Sequence, residues 1–128
     1  MSDSTQPNII LINCDDLGFG DLSCYGSARN DTPNIDRLAR EGTRNPAIKE
    51  RSQESTPSRA ALLTGCYPPR ISFDDFDGQG VLFPGRAYGI HQDELTLGQL
   101  MQHAGYATKL IGKWHVGDQA EFLPTRRG

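Results

Sequence analysis

The sequence predicts an α/β protein in which a mostly parallel sheet is flanked by helices. Three observations carry that prediction. The run Asn8 to Cys14 (NIILINC) is apolar without polar alternation, the pattern of a strand buried on both faces. Three helix-start signals follow it, and a second strand-like segment, Tyr106 to Ile111, comes directly after the last of them. Strand–helix–strand order implies parallel strands joined by right-handed crossovers.

The first helix signal is Thr32-Pro33, with Thr32 as N-cap and Pro33 at the first helical position. Ile35, Leu38 and Ala39 recur at helical spacing, Asp36 falls in the first turn, and Gly42 ends the element. The second signal, Thr56-Pro57, leads into Arg59-Ala60-Ala61-Leu62-Leu63 and stops at Gly65, which leaves Ser55 just ahead of a helix N-terminus. The third is Thr96, capping an apolar stripe of Leu97, Leu100, Met101 and Ala104 that ends at Gly105. Between Ile71 and Gln92 the chain is rich in Gly, Asp and Phe and predicts a long loop. In the second strand, Lys109 argues against burial of both faces.

A chain of 128 residues suits one domain. Two strands, however, cannot make a parallel sheet covered on both faces and at its edges. The expectation is that residues 1–128 form an incomplete, N-terminal part of a larger catalytic domain. Thirteen basic and sixteen acidic residues leave a net charge of −3, with no basic stripe, which argues against nucleic acid as a partner. No apolar run exceeds four residues, as at Ile9 to Ile12, so no membrane span is expected. Met1 to Asn8 has neither the basic nor the apolar region of a signal peptide. As written, the chain reads as cytoplasmic, or as periplasmic or secreted if a leader has been removed. Cys14, Cys24 and Cys66 are odd in number and form no C-x-x-C pair, so buried free thiols are expected rather than disulfides or a zinc knuckle.

Ligands of open α/β sheets collect at the carboxyl ends of the strands. Asp15-Asp16 stands there, ahead of Leu17-Gly18-Phe19-Gly20. Two adjacent carboxylates repel unless a cation or donor lies between them, and hard oxygens on a Gly-rich turn suit Ca²⁺ or Mg²⁺. The same residues also fit an ordinary acidic turn with Asp as a helix cap. Ser55 and Arg59 form a second group, in which the helix N-terminus favours an anion and Arg59 offers a forked contact to a tetrahedral oxyanion. An ordinary capped helix with an exposed Arg fits these residues too. In Lys113-Trp114-His115, extended alternation would turn Lys113 and His115 to one side and Trp114 to the other, although a lone Lys and His are also common as solvated surface. Taken together, the three groups suit displacement at a charged tetrahedral centre such as sulfate or phosphate.

Four segments resemble the sulfatase family. Ser55-Thr56-Pro57-Ser58-Arg59-Ala60-Ala61-Leu62-Leu63-Thr64-Gly65 is similar to its signature, C/S-x-P-S-R followed by T-G. Asp15-Asp16-Leu17-Gly18-Phe19-Gly20-Asp21 resembles its N-terminal metal motif, while Thr32 to Ala39 and Gly112-Lys113-Trp114-His115-Val116-Gly117 resemble two further segments. The order and spacing agree over nearly the whole chain, as in the N-terminal portion of an arylsulfatase. The resemblance implies an alkaline-phosphatase-like fold and hydrolysis of small-molecule sulfate esters. It implies oxidation of Ser55 to formylglycine by a sulfatase-maturating enzyme, because a plain serine that attacked sulfur would be left as a stable ester. It further implies Ca²⁺, in preference to Mg²⁺, held by Asp15, Asp16 and the residue at Ser55, and a sulfate site lined by Arg59, Lys113 and His115. A second metal-binding Asp/Asn pair and another Lys and His belong to later parts of such enzymes. A phosphate or phosphonate ester hydrolase of the same superfamily and an inactive fragment are the competing expectations. One departure stands out: Arg44 to Glu54 (RNPAIKERSQE) is charged where the resemblance leads one to expect an apolar strand.

Overall fold

The computed structural model describes residues 6–45 and 54–128, and the charged segment before the signature, residues 46–53, lies outside the described residues. The chain divides into two units, Met1–Ala47 and Ile48–Gly128.

In the first unit, α1 spans Pro33–Glu41, with Thr32 at the N-cap, Pro33 in the first turn and Gly42 at the C-cap. These are the limits that the sequence predicts. Two 3₁₀ turns, Phe19–Asp21 and Ser23–Tyr25, precede it, and the Phe19 and Tyr25 rings stack with centroids 3.8 Å apart. Asp36 ties the second turn to α1. Its carboxylate accepts from Ser23 Oγ at 2.6 Å, from the Cys24 N–H at 2.9 Å and from Thr32 Oγ1 at 3.0 Å. Those donors, Ser23 foremost, hold its carboxyl below the ordinary carboxylate range.

The second unit contains the apolar core. Here α2 runs Ser55–Thr64, and Gly65 closes it in the left-handed conformation at φ 68°. A 3₁₀ turn, Pro68–Ile71, follows, then α3 at Leu97–His103 and two further turns, Ala120–Phe122 and Pro124–Arg126. Thr96 caps α3, its Oγ1 accepting from the Gln99 N–H at 3.3 Å. The helix ends at His103 with Ala104 as C-cap, one turn-residue short of the expected Gly105 stop. Ala60, Ile71, Phe73, Phe76, Leu82, Ile90 and Val116 are buried together, and Leu63, Cys66 and Trp114 pack against them. Burial of each large member contributes about 1.5–3 kcal/mol. Four of the seven come from residues 72–92, so the predicted loop is irregular in backbone yet supplies much of the core.

Two expectations are corrected. Neither Asn8–Cys14 nor Tyr106–Ile111 is a strand, and no strand occurs among the described residues. A strand exists by pairing, and the apolar side chains of both runs face no sheet: Ile10 and Ile111 are each 84% exposed. The parallel sheet is therefore not formed by these residues. The cysteines are free, as expected, but not buried: Cys14 is exposed and the other two are half-buried. Among the described residues, no helix is long and apolar enough to cross a membrane.

Candidate functional site

Ser55 is the first residue of α2 rather than the residue ahead of it, because Glu54 takes the N-cap position with extended backbone. Its hydroxyl sits between two partners. Arg59, one turn along the helix, donates from Nε to Ser55 Oγ at 3.1 Å, and His115 Nδ1 lies 3.2 Å from the same oxygen. The other ring nitrogen, His115 Nε2, is 2.9 Å from the Leu82 carbonyl. A carbonyl only accepts, so the neutral imidazole carries its proton on Nε2 and turns the Nδ1 lone pair toward Ser55. Ser55 then donates its O–H to His115 and accepts from Arg59.

Arg59 makes a second anchor, donating from Nη1 to the Lys113 carbonyl at 3.0 Å. The Gly112–Gly117 segment thus meets the signature helix through a backbone oxygen as well as through His115. Trp114 packs on the core and donates from Nε1 to the Phe122 carbonyl at 3.0 Å, while Lys113 is exposed. Extended alternation is the expectation for Lys113-Trp114-His115, yet Trp114 and His115 both line one cavity. The segment is not regularly extended, because His115 is left-handed at φ 62°, a conformation uncommon for a residue with a Cβ. Asp16 is a second such residue, at φ 57°.

Beside His115 lies a cavity of about 350 Å³, walled by Leu82, Phe83, Pro84, Trp114, Asp118 and Leu123 among others. Sequence reading missed Asp118, which has no motif to mark it. The Gly85 N–H donates to Asp118 Oδ2 at 2.6 Å and, as the largest influence, holds its carboxyl below the usual range. Gly117, the residue before Asp118, is at φ 126°, and a Cβ there would collide with Phe122, so this turn accepts only glycine.

Ser55, Arg59 and His115 are thus brought together, with Lys113 joined through its carbonyl. Asp15 and Asp16 belong to the first unit. Among the described residues, no group of three or more His, Cys, Asp or Glu could hold a metal ion. The two carboxylates and the residue-55 oxygen suit a hard cation in kind, but not in number, since Ca²⁺ takes about six to eight oxygens.

A helix-borne hydroxyl shared between a guanidinium and an imidazole has the chemical groups that nucleophilic and acid–base reactions use. Comparison with known proteins assigns the lineage. Residues 7–122 match the sulfatase family. The chain is 49% identical to mouse steryl-sulfatase over 87% of its length and 18% of that protein. It is 44% identical to human arylsulfatase A over 95% of its length and 24% of that protein. The crystal structure of Ps i-CgsB superposes with a TM-score of 0.88 at 40% identity, covering 97% of this chain and 27% of that one. This chain belongs to the sulfatase family, and it spans about a fifth to a quarter of the length of the curated relatives it matches.

Proposed function

We propose that this chain carries the nucleophile-bearing part of a sulfuric ester hydrolase site acting on aryl sulfate esters, with Ser55 oxidised to formylglycine and Ca²⁺ bound. The observation that supports this reading best is the residue-55 oxygen held between Arg59 Nε and His115 Nδ1 at the start of α2. Formylglycine supplies a nucleophilic oxygen and a route for releasing sulfate that plain serine lacks, and Ca²⁺ supplies positive charge for the sulfate oxygens.

The chain's own residues do the rest. The α2 N-terminus and the Arg59 guanidinium together favour an anion at residue 55. His115, with its lone pair on Nδ1, is placed to take the proton of the residue-55 oxygen. Lys113 would line the sulfate site with His115. Asp15, Asp16 and the residue-55 oxygen would hold the Ca²⁺, whose remaining positions need donors beyond these three. In this reading residues 1–128 are the N-terminal part of an alkaline-phosphatase-like catalytic domain, and Asn8–Cys14 and Tyr106–Ile111 complete their ladders against strands outside it.

The test is peptide mass spectrometry of the whole protein after co-expression with a serine-type sulfatase-maturating enzyme. The peptide bearing Ser55 should lose two hydrogens in step with the appearance of aryl sulfate hydrolysis. Full activity with Ser55 unmodified refutes the formylglycine route. Preference for aryl phosphate over aryl sulfate, in direct competition, moves the substrate to a phosphate or phosphonate ester.

A further inference from the structure

We propose that Thr56 is a positioning residue for His115, acting through the backbone of Leu82 and deciding which imidazole nitrogen faces residue 55. The inference rests on the reading of Ser55 as the reacting position. It begins from a residue that the helix does not need. Thr56 is the second residue of α2, is 0% exposed, and is not the cap, since Glu54 is. A fully buried hydroxyl is costly unless it finds a partner. Thr56 Oγ1 finds it across the unit, accepting from the Leu82 N–H at 3.0 Å.

Leu82 is itself buried, so its carbonyl also needs a donor, and His115 Nε2 at 2.9 Å is that donor. His115 Nδ1 then returns to Ser55 Oγ at 3.2 Å. The circuit leaves α2 at Thr56 and re-enters it at the adjacent residue. Both polar groups of the Leu82 backbone are engaged, one by the helix and one by the imidazole, so Leu82 is tethered on both sides and loss of the hydroxyl frees the backbone that presents the carbonyl. Were the proton on Nδ1 instead, the buried Leu82 carbonyl would meet a lone pair and lose its donor.

The experiment is ¹⁵N NMR of the whole protein labelled at histidine, with His115 assigned by comparison with His115→Gln, above the ordinary histidine pKa of about 6.5. Wild type should show the Nε2–H form. Thr56→Val keeps the shape and removes the acceptor; it should populate the Nδ1–H form and lower kcat about tenfold or more while KM stays within about twofold. Thr56→Ser should restore both the spectrum and kcat. The proposal is overturned if wild-type His115 is in the Nδ1–H form, if Thr56→Val leaves spectrum and kcat unchanged, or if Thr56→Ser is as impaired as Thr56→Val. Should Thr56→Val fail to fold, Thr56→Ala takes its place, with the same expected and overturning results. Turnover that survives Ser55→Ala sinks the functional reading instead, and leaves the tautomer to be judged from its own spectrum.

Discussion

The two Thr-Pro helix starts, Thr32-Pro33 and Thr56-Pro57, are near copies in sequence and put the same device to different ends. In each, the threonine hydroxyl turns away from helix capping and accepts a backbone N–H from another segment of its own unit: Ser23 for Thr32 and Leu82 for Thr56, both at 3.0 Å. In each, a further hydrogen bond leads back to the helix of origin. At α1 the return runs through Ser23 Oγ to the Asp36 carboxylate, an acceptor that three donors satisfy. At α2 it runs through His115 to the Ser55 hydroxyl, which Arg59 also contacts. A carboxylate closes the first loop as a structural clasp. A hydroxyl beside an imidazole lone pair closes the second as a site. The starts differ in register, Thr32 being the N-cap of α1 and Thr56 the second residue of α2, but it is the chemistry of the last residue that separates clasp from site.

The largest expected effect comes from breaking the second loop at its closing atom. Ser55→Ala in the whole protein should reduce aryl sulfate turnover to background while leaving the circular dichroism spectrum and Tm near wild type; retained turnover would place the reacting atom elsewhere. Arg59→Lys is next. Lysine keeps the charge but cannot reproduce the fork that joins Ser55 Oγ to the Lys113 carbonyl. A fall of about 10- to 100-fold in kcat/KM is expected, and parity with wild type would mean that Arg59 acts as a charge alone.

The first loop should fail by acid rather than by loss of turnover. The Asp36 carboxyl titrates below its ordinary 3.8, so its contribution to stability is present above that value and is lost as pH falls through the lower folded value. Asp36→Asn should lower Tm at neutral pH and flatten the acid limb of the Tm–pH curve in that window. An unchanged acid limb would detach Asp36 from the clasp. Smallest of all is Arg37→Ala. Its ion pair with Glu41 lies on the outer face of α1, 68% and 60% exposed, and its loss should shift stability by no more than about 0.5 kcal/mol. A larger loss in denaturant unfolding would show that α1 depends on more than its N-terminal clasp.

Sequence alone determined the local signals. Thr32, Pro33 and Gly42 bound α1 because cap, first-turn proline and stop glycine act through a few neighbouring dihedrals. Gly65 ended α2 for the same reason, and the spacing of Ser55 and Arg59, one helical turn apart, already implied that they could meet. The family motifs were legible as strings. Only the tertiary structure decided the rest. Phe73, Phe76, Leu82 and Ile90 became core although their stretch shows no period of 2 or 3.6, because their burial depends on partners distant along the chain. Thr56 looked like part of a helix start, and its buried hydroxyl became a tether only once Leu82, twenty-six positions on, was brought beside it. The apolar runs Asn8–Cys14 and Tyr106–Ile111 carried the composition of strands and formed none, because a β-ladder needs backbone from a neighbour and no residue pattern within one segment supplies it.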